Sequence, residues 1–144
     1  MTWRIEGNQP IDVALKDMIL DKIEEGSFGM EDLKDYFTVF TQISNNTEDI
    51  QDEVEGFDRT FLYRINGRPV AWLSIKDKSF EMGSDDVEGP DITLDMSDEV
   101  AIGLFSGQVD PMAAYMSGDL TVDGIINDAI VLRNVLNLVH EEME

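Results

Sequence analysis

The side chains able to do chemistry in this chain are few, and their spacing argues against catalysis. Its 144 residues hold one histidine and no cysteine. Thiol catalysis, disulfides and cysteine metal sites are thereby excluded. His140 falls in the last turn of a C-terminal helical pattern, where the helix dipole favours a cation, and it is expected to cap that helix. A histidine-activated serine would have to rely on this terminal residue, and nothing in the chain supports such a pairing. Carboxylates are plentiful. Asp91, Asp95, Asp119 and Asp123 share the outer parity of two strand patterns but follow no calcium-loop spacing. They are expected to form a solvated face, with Arg64 and Lys76 as partners. No glycine-rich phosphate loop precedes a helix. What remains is apolar. Met82, Met96, Met112 and Met116 lie near the inner layer formed by the strand faces and the helices. Methionine suits a cavity for varied apolar molecules, and it serves plain core equally well. The chemistry on offer is therefore exclusion of water, with no catalytic residue, no metal and no cofactor expected.

The elements that must position these residues centre on Asp110–Gly124, DPMAAYMSGDLTVDG. Asp110 suits an N-cap, Pro111 the first helical position and Gly118 the left-handed residue after a helix. Met112, Ala113, Tyr115 and Met116 put apolar residues on more than one side of this short helix. Leu120 and Val122 alternate with Asp119, Thr121 and Asp123, a strand with one wet face. Gly124 then turns the chain into a final helix over Ile125–Val139. That helix is apolar over more than an ordinary stripe, leaving Asn127, Asp128, Arg133, Asn134 and Asn137 for its wet side. Such a helix needs contacts on two sides. Either it is sandwiched in the core, or one side faces a bound apolar molecule.

Before this stretch, residues 11–24 and 30–44 carry helical stripes, the second spaced 3, 4, 3, 4 through Met30, Leu33, Phe37, Phe40 and Ser44. Thr47 suits the cap of a short helix through Val54. This N-terminal region, residues 1–56, is expected to cover an open side of the core in preference to forming a subunit contact. From Arg59 the period becomes two. Residues 59–83 read as a three-stranded meander, with Asn66–Gly67 as a type I′ turn and a second tight turn at Asp77–Lys78. An acidic, mobile loop over Gly83–Pro90 leads to a fourth strand through Ile92, Leu94 and Met96. Ser97 caps the next helix, whose buried face is Val100, Ala101, Leu104 and Phe105.

Composition narrows the function further. Apolar residues make up 42% of the chain, enough for one domain with a sizeable core. The formal charge is −21, the opposite of what nucleic acid requires. An acidic, soluble protein accounts for this charge slightly better than a salt-rich cytoplasm does. No apolar run is long enough to span a membrane, so no stable insertion is expected. The N-terminal MTWRIEGNQP lacks the apolar core of a secretory signal, and a cytoplasmic location is expected. Residues 59–78 are locally basic, with Arg59, Arg64, Arg68, Lys76 and Lys78 against Asp77. Pairing with acids on the wet face of a sheet explains them better than contact with a headgroup or an acidic partner.

Several motifs in residues 57–139 resemble the sterol carrier protein-2, or sterol-transfer, domain family. They are FLYRING at Phe61–Gly67, Trp72 with Ile75–Lys76, PDITLDMS at Pro90–Ser97, and GLFSGQVDPMAAYMSGDLTVDG at Gly103–Gly124. The resemblance implies an α/β (α+β) fold, with a curved, mainly antiparallel five-stranded sheet and helices packed over one face, built from residues 57–144. It implies a non-catalytic carrier with an apolar tunnel for a fatty acid, acyl-CoA, phospholipid or sterol-like molecule. Carried over, the lining is Phe61, Leu73, Ile75, Ile92, Leu94, Leu120 and Val122 from the strands. The helices add Leu104, Phe105, Met112, Tyr115, Met116, Leu132 and Leu136. The acidic surface departs from the basic character of familiar members, and the hairpin at 59–78 is the least unfavourable place for an anionic headgroup. The alternative is a ligand-free interaction module with a filled core, its broad last helix serving packing or a homodimer contact.

Overall fold

The computed structural model describes residues 2–144. Its elements run β1 (Arg4–Ile5), α1 (Val13–Glu25), α2 (Leu33–Asn45, preceded by a 3₁₀ turn), α3 (Glu48–Glu53), β2 (Arg59–Ile65), β3 (Arg68–Lys76), β4 (Ser79–Gly83), β5 (Ile92–Met96), α4 (Asp98–Phe105), α5 (Pro111–Ser117), β6 (Leu120–Asp123) and α6 (Ile126–Met143). The strands form one sheet in the order β1-β4-β3-β2-β5-β6. Among the described residues only β2 and β5 pair in parallel. The sheet has six strands where five were expected. The extra one, β1, is two residues long and pairs with the end of β4, too short to show any alternation in sequence.

Local chemistry explains most boundaries. Ser97 and Asp110 accept hydrogen bonds from the N–H groups of Val100 and Ala113, each satisfying a donor orphaned at a helix start. Asn66 and Gly67 both take positive φ, as a type I′ hairpin requires, and so do Asp77 and Lys78 at the second turn. The first residues after β4 are held by hydrogen bonds. Trp72 Nε1 donates to Asp85 Oδ1 at 2.9 Å, and Ser84 exchanges hydrogen bonds with the backbone of Trp3.

The core lies between one face of the sheet and the helices. Strand parity sends Phe61, Tyr63, Ile65, Leu73, Ile75, Phe80, Met82, Ile92, Leu94 and Met96 inward. From the helical side α2 contributes Tyr36, Phe37, Val39, Phe40 and Ile43, all buried, so its use is core cover. Its rings form an aromatic cluster with the sheet and α4. Phe37 stacks on Tyr63 at 5.8 Å, and Phe105 meets Tyr36 and Phe37 at 5.2 Å each.

The wide last helix turns out to be gripped on several sides. It runs four residues beyond the expected Val139. Of its five supposed wet residues, Asp128 is buried and accepts a 2.9 Å hydrogen bond from Arg59 Nε, which ties the start of α6 to the start of β2. Asn134 donates to Glu53 Oε1 of α3. His140 is no C-terminal cap of its own helix, which continues past it. Its Nε2 donates to the carbonyl of Phe105 at 2.9 Å, satisfying an acceptor left free at the end of α4.

Candidate functional site

Three neighbouring strands and three helices enclose an apolar pocket. Register places Tyr63, Leu94 and Val122 side by side across β2, β5 and β6, and Met96 beside Leu120 in the next row. Over this floor stand Leu104 and Phe105 of α4, Pro111, Met112 and Tyr115 of α5, and Ile126, Ala129, Leu132, Arg133 and Leu136 of α6. On α6 the spacing from Ile126 through Ala129 and Arg133 to Leu136 is 3, 4, 3, one stripe of the helix. The free volume is about 30 Å³, roughly the share of one water molecule in the liquid. A far larger depression of about 760 Å³ lies elsewhere, among Arg4, Glu6, Asn8, Asn45, Gln51, Asp77, Lys78 and Glu81. Its walls are polar and it is open to water, so it offers an apolar molecule little.

Nine of the sequence-expected lining residues meet at the apolar pocket: Leu94, Leu104, Phe105, Met112, Tyr115, Leu120, Val122, Leu132 and Leu136. Phe61, Leu73, Ile75 and Ile92 do not reach it. They point to the same side of the sheet but lie in other rows, packed solid within the core. Phe61 pairs with Leu73 and Ile92 in register, and the ring of Phe57 lies 6.2 Å from it. Met116 is 82% exposed and points away from the pocket, because the short α5 presents only Ala114 fully to the core. Tyr63, Met96, Pro111, Ile126, Ala129 and Arg133 also line it and were not in the lining carried over from the resemblance, although Met96 was among the methionines noted as suiting a cavity. Inward parity on β2 and β5 marks Tyr63 and Met96. No comparable signal marks Arg133, since a charged residue reads as wet.

The polar groups here are few. The Tyr63 phenol is pushed up in pKa by burial, so it remains neutral. Burial also lowers the pKa of His140, outweighing the hydrogen bond to Phe105 and the charge of Glu144, so the neutral imidazole is favoured. The Arg133 Nε is buried and has no hydrogen-bond partner. The hairpin cations are largely engaged: Arg59 with Asp128, Arg64 with Asp95, and Lys78 within 3.9 Å of both Asp52 and Glu55. Arg64 and Asp95 are register partners across β2 and β5, the pairing expected for the outer carboxylates. Asp91 accepts instead from the Thr60 N–H, and Asp119 from Ser117. Among the described residues no helix is long and apolar enough to cross a membrane.

The model of the SCP-2 sterol transfer family matches residues 40–137. No curated protein sequence matches the chain. Among solved structures it is similar to the sterol carrier protein domain 2 of Helicoverpa armigera, at 22% identity over 76% of this chain and 87% of that one, with a TM-score of 0.56. It is also similar to a crystal structure of sterol carrier protein 2, at 11% identity over 74% and 94% of the chains, with a TM-score of 0.60. A third likeness is to a stereoselective inverting sec-alkylsulfatase from Pseudomonas sp., with 14% identity and a TM-score of 0.53. The match covers 70% of this chain but 16% of that enzyme. Likenesses at these identities show the fold.

Proposed function

The chain belongs to the SCP-2 sterol transfer family, and from that premise we propose that it is a non-catalytic cytoplasmic carrier of a lipid or other apolar molecule. The supporting observation is the pocket bounded by β2, β5, β6 and α4 to α6. Nearly all of its wall is aliphatic, aromatic or thioether, and its helical side includes the seven-residue α5. Burying each CH₂ contributes about 0.8 kcal/mol, so a long chain binds there with little polar help. Leu and Met walls give breadth and little shape selection. With about 30 Å³ free, a ligand enters only if the wall yields. We take α5 as the part that moves, since Tyr115 and Met116 already face water there, 40% and 82% exposed. The names of the similar proteins, sterol carrier proteins among them, agree with this reading.

Mass spectrometry of the purified protein, native and then denatured, tests it. A discrete extra mass lost on denaturation is the expected result. An apo mass together with no uptake of a fluorescent fatty acid would count against it. The small free volume favours one other reading, a filled-core interaction module of the same fold. That reading requires a mass that rises with concentration through self-association and no bound lipid.

A further inference from the structure

We propose that Arg133 selects the head of the carried molecule, holding an anionic carboxylate or phosphate-type group at the rim of the apolar pocket. The inference rests on the carrier reading above and adds the chemistry of one end of the ligand.

Arg133 differs from the other arginines in having a buried Nε without a hydrogen-bond partner. The chain has 31 carboxylate side chains against ten basic ones, so a surface guanidinium has every chance of an acidic neighbour. Arg4, Arg59 and Arg64 each have one, at 3.2, 2.9 and 3.0 Å, and Arg68, which has none among the described residues, is exposed to water. Among the described residues Arg133 has neither an ion pair nor a hydrogen bond from its buried Nε. It occupies a position on the apolar stripe of α6, one turn after Ala129 and just before the turn ending at Leu136, and it lines the pocket with them. A buried donor left unmade is costly, and an arginine here is worse than any aliphatic residue unless something accepts from it. The guanidinium fork matches the two oxygens of a carboxylate or phosphate, and such charge-assisted bonds are the strong ones. Partial burial also protects the contact from salt.

The net charge of −21 does not forbid this. Long-range repulsion of an anion is screened beyond about 8 Å at physiological ionic strength, whereas a contact at a half-buried guanidinium is not. None of the hairpin cations lines the apolar pocket, whereas Arg133 does.

The test compares cis-parinaric acid with its methyl ester, read by polyene fluorescence, on the wild type and on Arg133→Met and Arg133→Lys. The wild type is expected to bind the acid about tenfold tighter than the ester, the yield of one charge-assisted contact. Arg133→Met should bind both alike, and Arg133→Lys should keep part of the preference. Far-UV circular dichroism checks that the variants fold. If Arg133→Met does not fold, the wild-type preference for acid over ester, and its disappearance as the probe's carboxyl is protonated, decide instead. Equal binding of acid and ester by the wild type overturns the proposal, as does a folded Arg133→Met that keeps the full preference. In both cases the carrier reading stands, because the probes still bind. Binding of neither probe by the wild type brings down the carrier reading and this proposal with it.

Discussion

His140 shows how much a single side chain's role depends on what surrounds it. Its pKa is lowered by burial, and its Nε2–H is held by the Phe105 carbonyl. The ring also lies 6.5 Å from that of Tyr36. In the unfolded chain the imidazole titrates near 6.5, and in the fold it titrates lower. The unfolded state therefore binds the proton first as pH falls. Stability contributed by His140 is full above about pH 6.5 and is lost as pH falls through the lower folded value. His140→Gln keeps an amide donor but cannot titrate. Urea denaturation between about pH 5 and pH 8 should show wild type losing stability relative to this variant on the acid side, and a constant difference would refute the assignment. Other buried polar groups have different consequences. The Tyr36 hydroxyl has no hydrogen-bond partner, and burial pushes its pKa well above the usual phenol value, so it stays neutral. Asp32 would be raised by burial alone. The Lys22 ammonium at 2.8 Å and the Gly29 N–H outweigh that and hold it low.

Among the elements, α5 and β6 depend on two glycines whose demands differ. Gly118 closes α5 with φ 86°, and a Cβ there would meet nothing within 4 Å. Gly124, between β6 and α6, has φ 141°, and a Cβ would lie 2.7 Å from the Asp91 carbonyl and 3.0 Å from Ile92. Gly118→Ala thus faces only the backbone cost of positive φ, about 1 kcal/mol. Gly124→Ala adds a clash with backbone that cannot swing aside. Thermal melts of the two variants should rank Gly124→Ala as clearly the more destabilised. Equal losses would mean that the β5 to α6 contact is looser than described. These turns were legible as glycine punctuation, and the helix starts as caps at Ser97 and Asp110. The two-residue β1 was not, because pairing with β4 creates it and no local pattern does.

At the level of the whole molecule, charge and packing pull apart. The six ion pairs among the described residues, most of them on the surface, do little against a formal charge of −21. Self-repulsion should therefore dominate the response to salt. The melting temperature is expected to rise between about 10 mM and about 1 M sodium chloride, as the Debye length falls from roughly 30 Å to 3 Å. A fall over that range would mean that the ion pairs matter more than the net charge. The sequence by itself determined which residues alternate, where helices begin and stop, and the family to which residues 40–137 conform. Those properties reside in neighbours a few positions apart, and local sterics and hydrogen bonding decide them. The choice among inward-facing residues was tertiary. Parity tells which face of the sheet Phe61, Leu73, Ile75 and Ile92 take, as it does for Leu94 and Val122, but not which row the rings of α2 fill and which row α5 and α6 leave bordering a pocket. Docking likewise turned Met116 out to water and brought Arg133 to an apolar wall. A helix position has a polarity in sequence, and it acquires surroundings only when other elements pack against it.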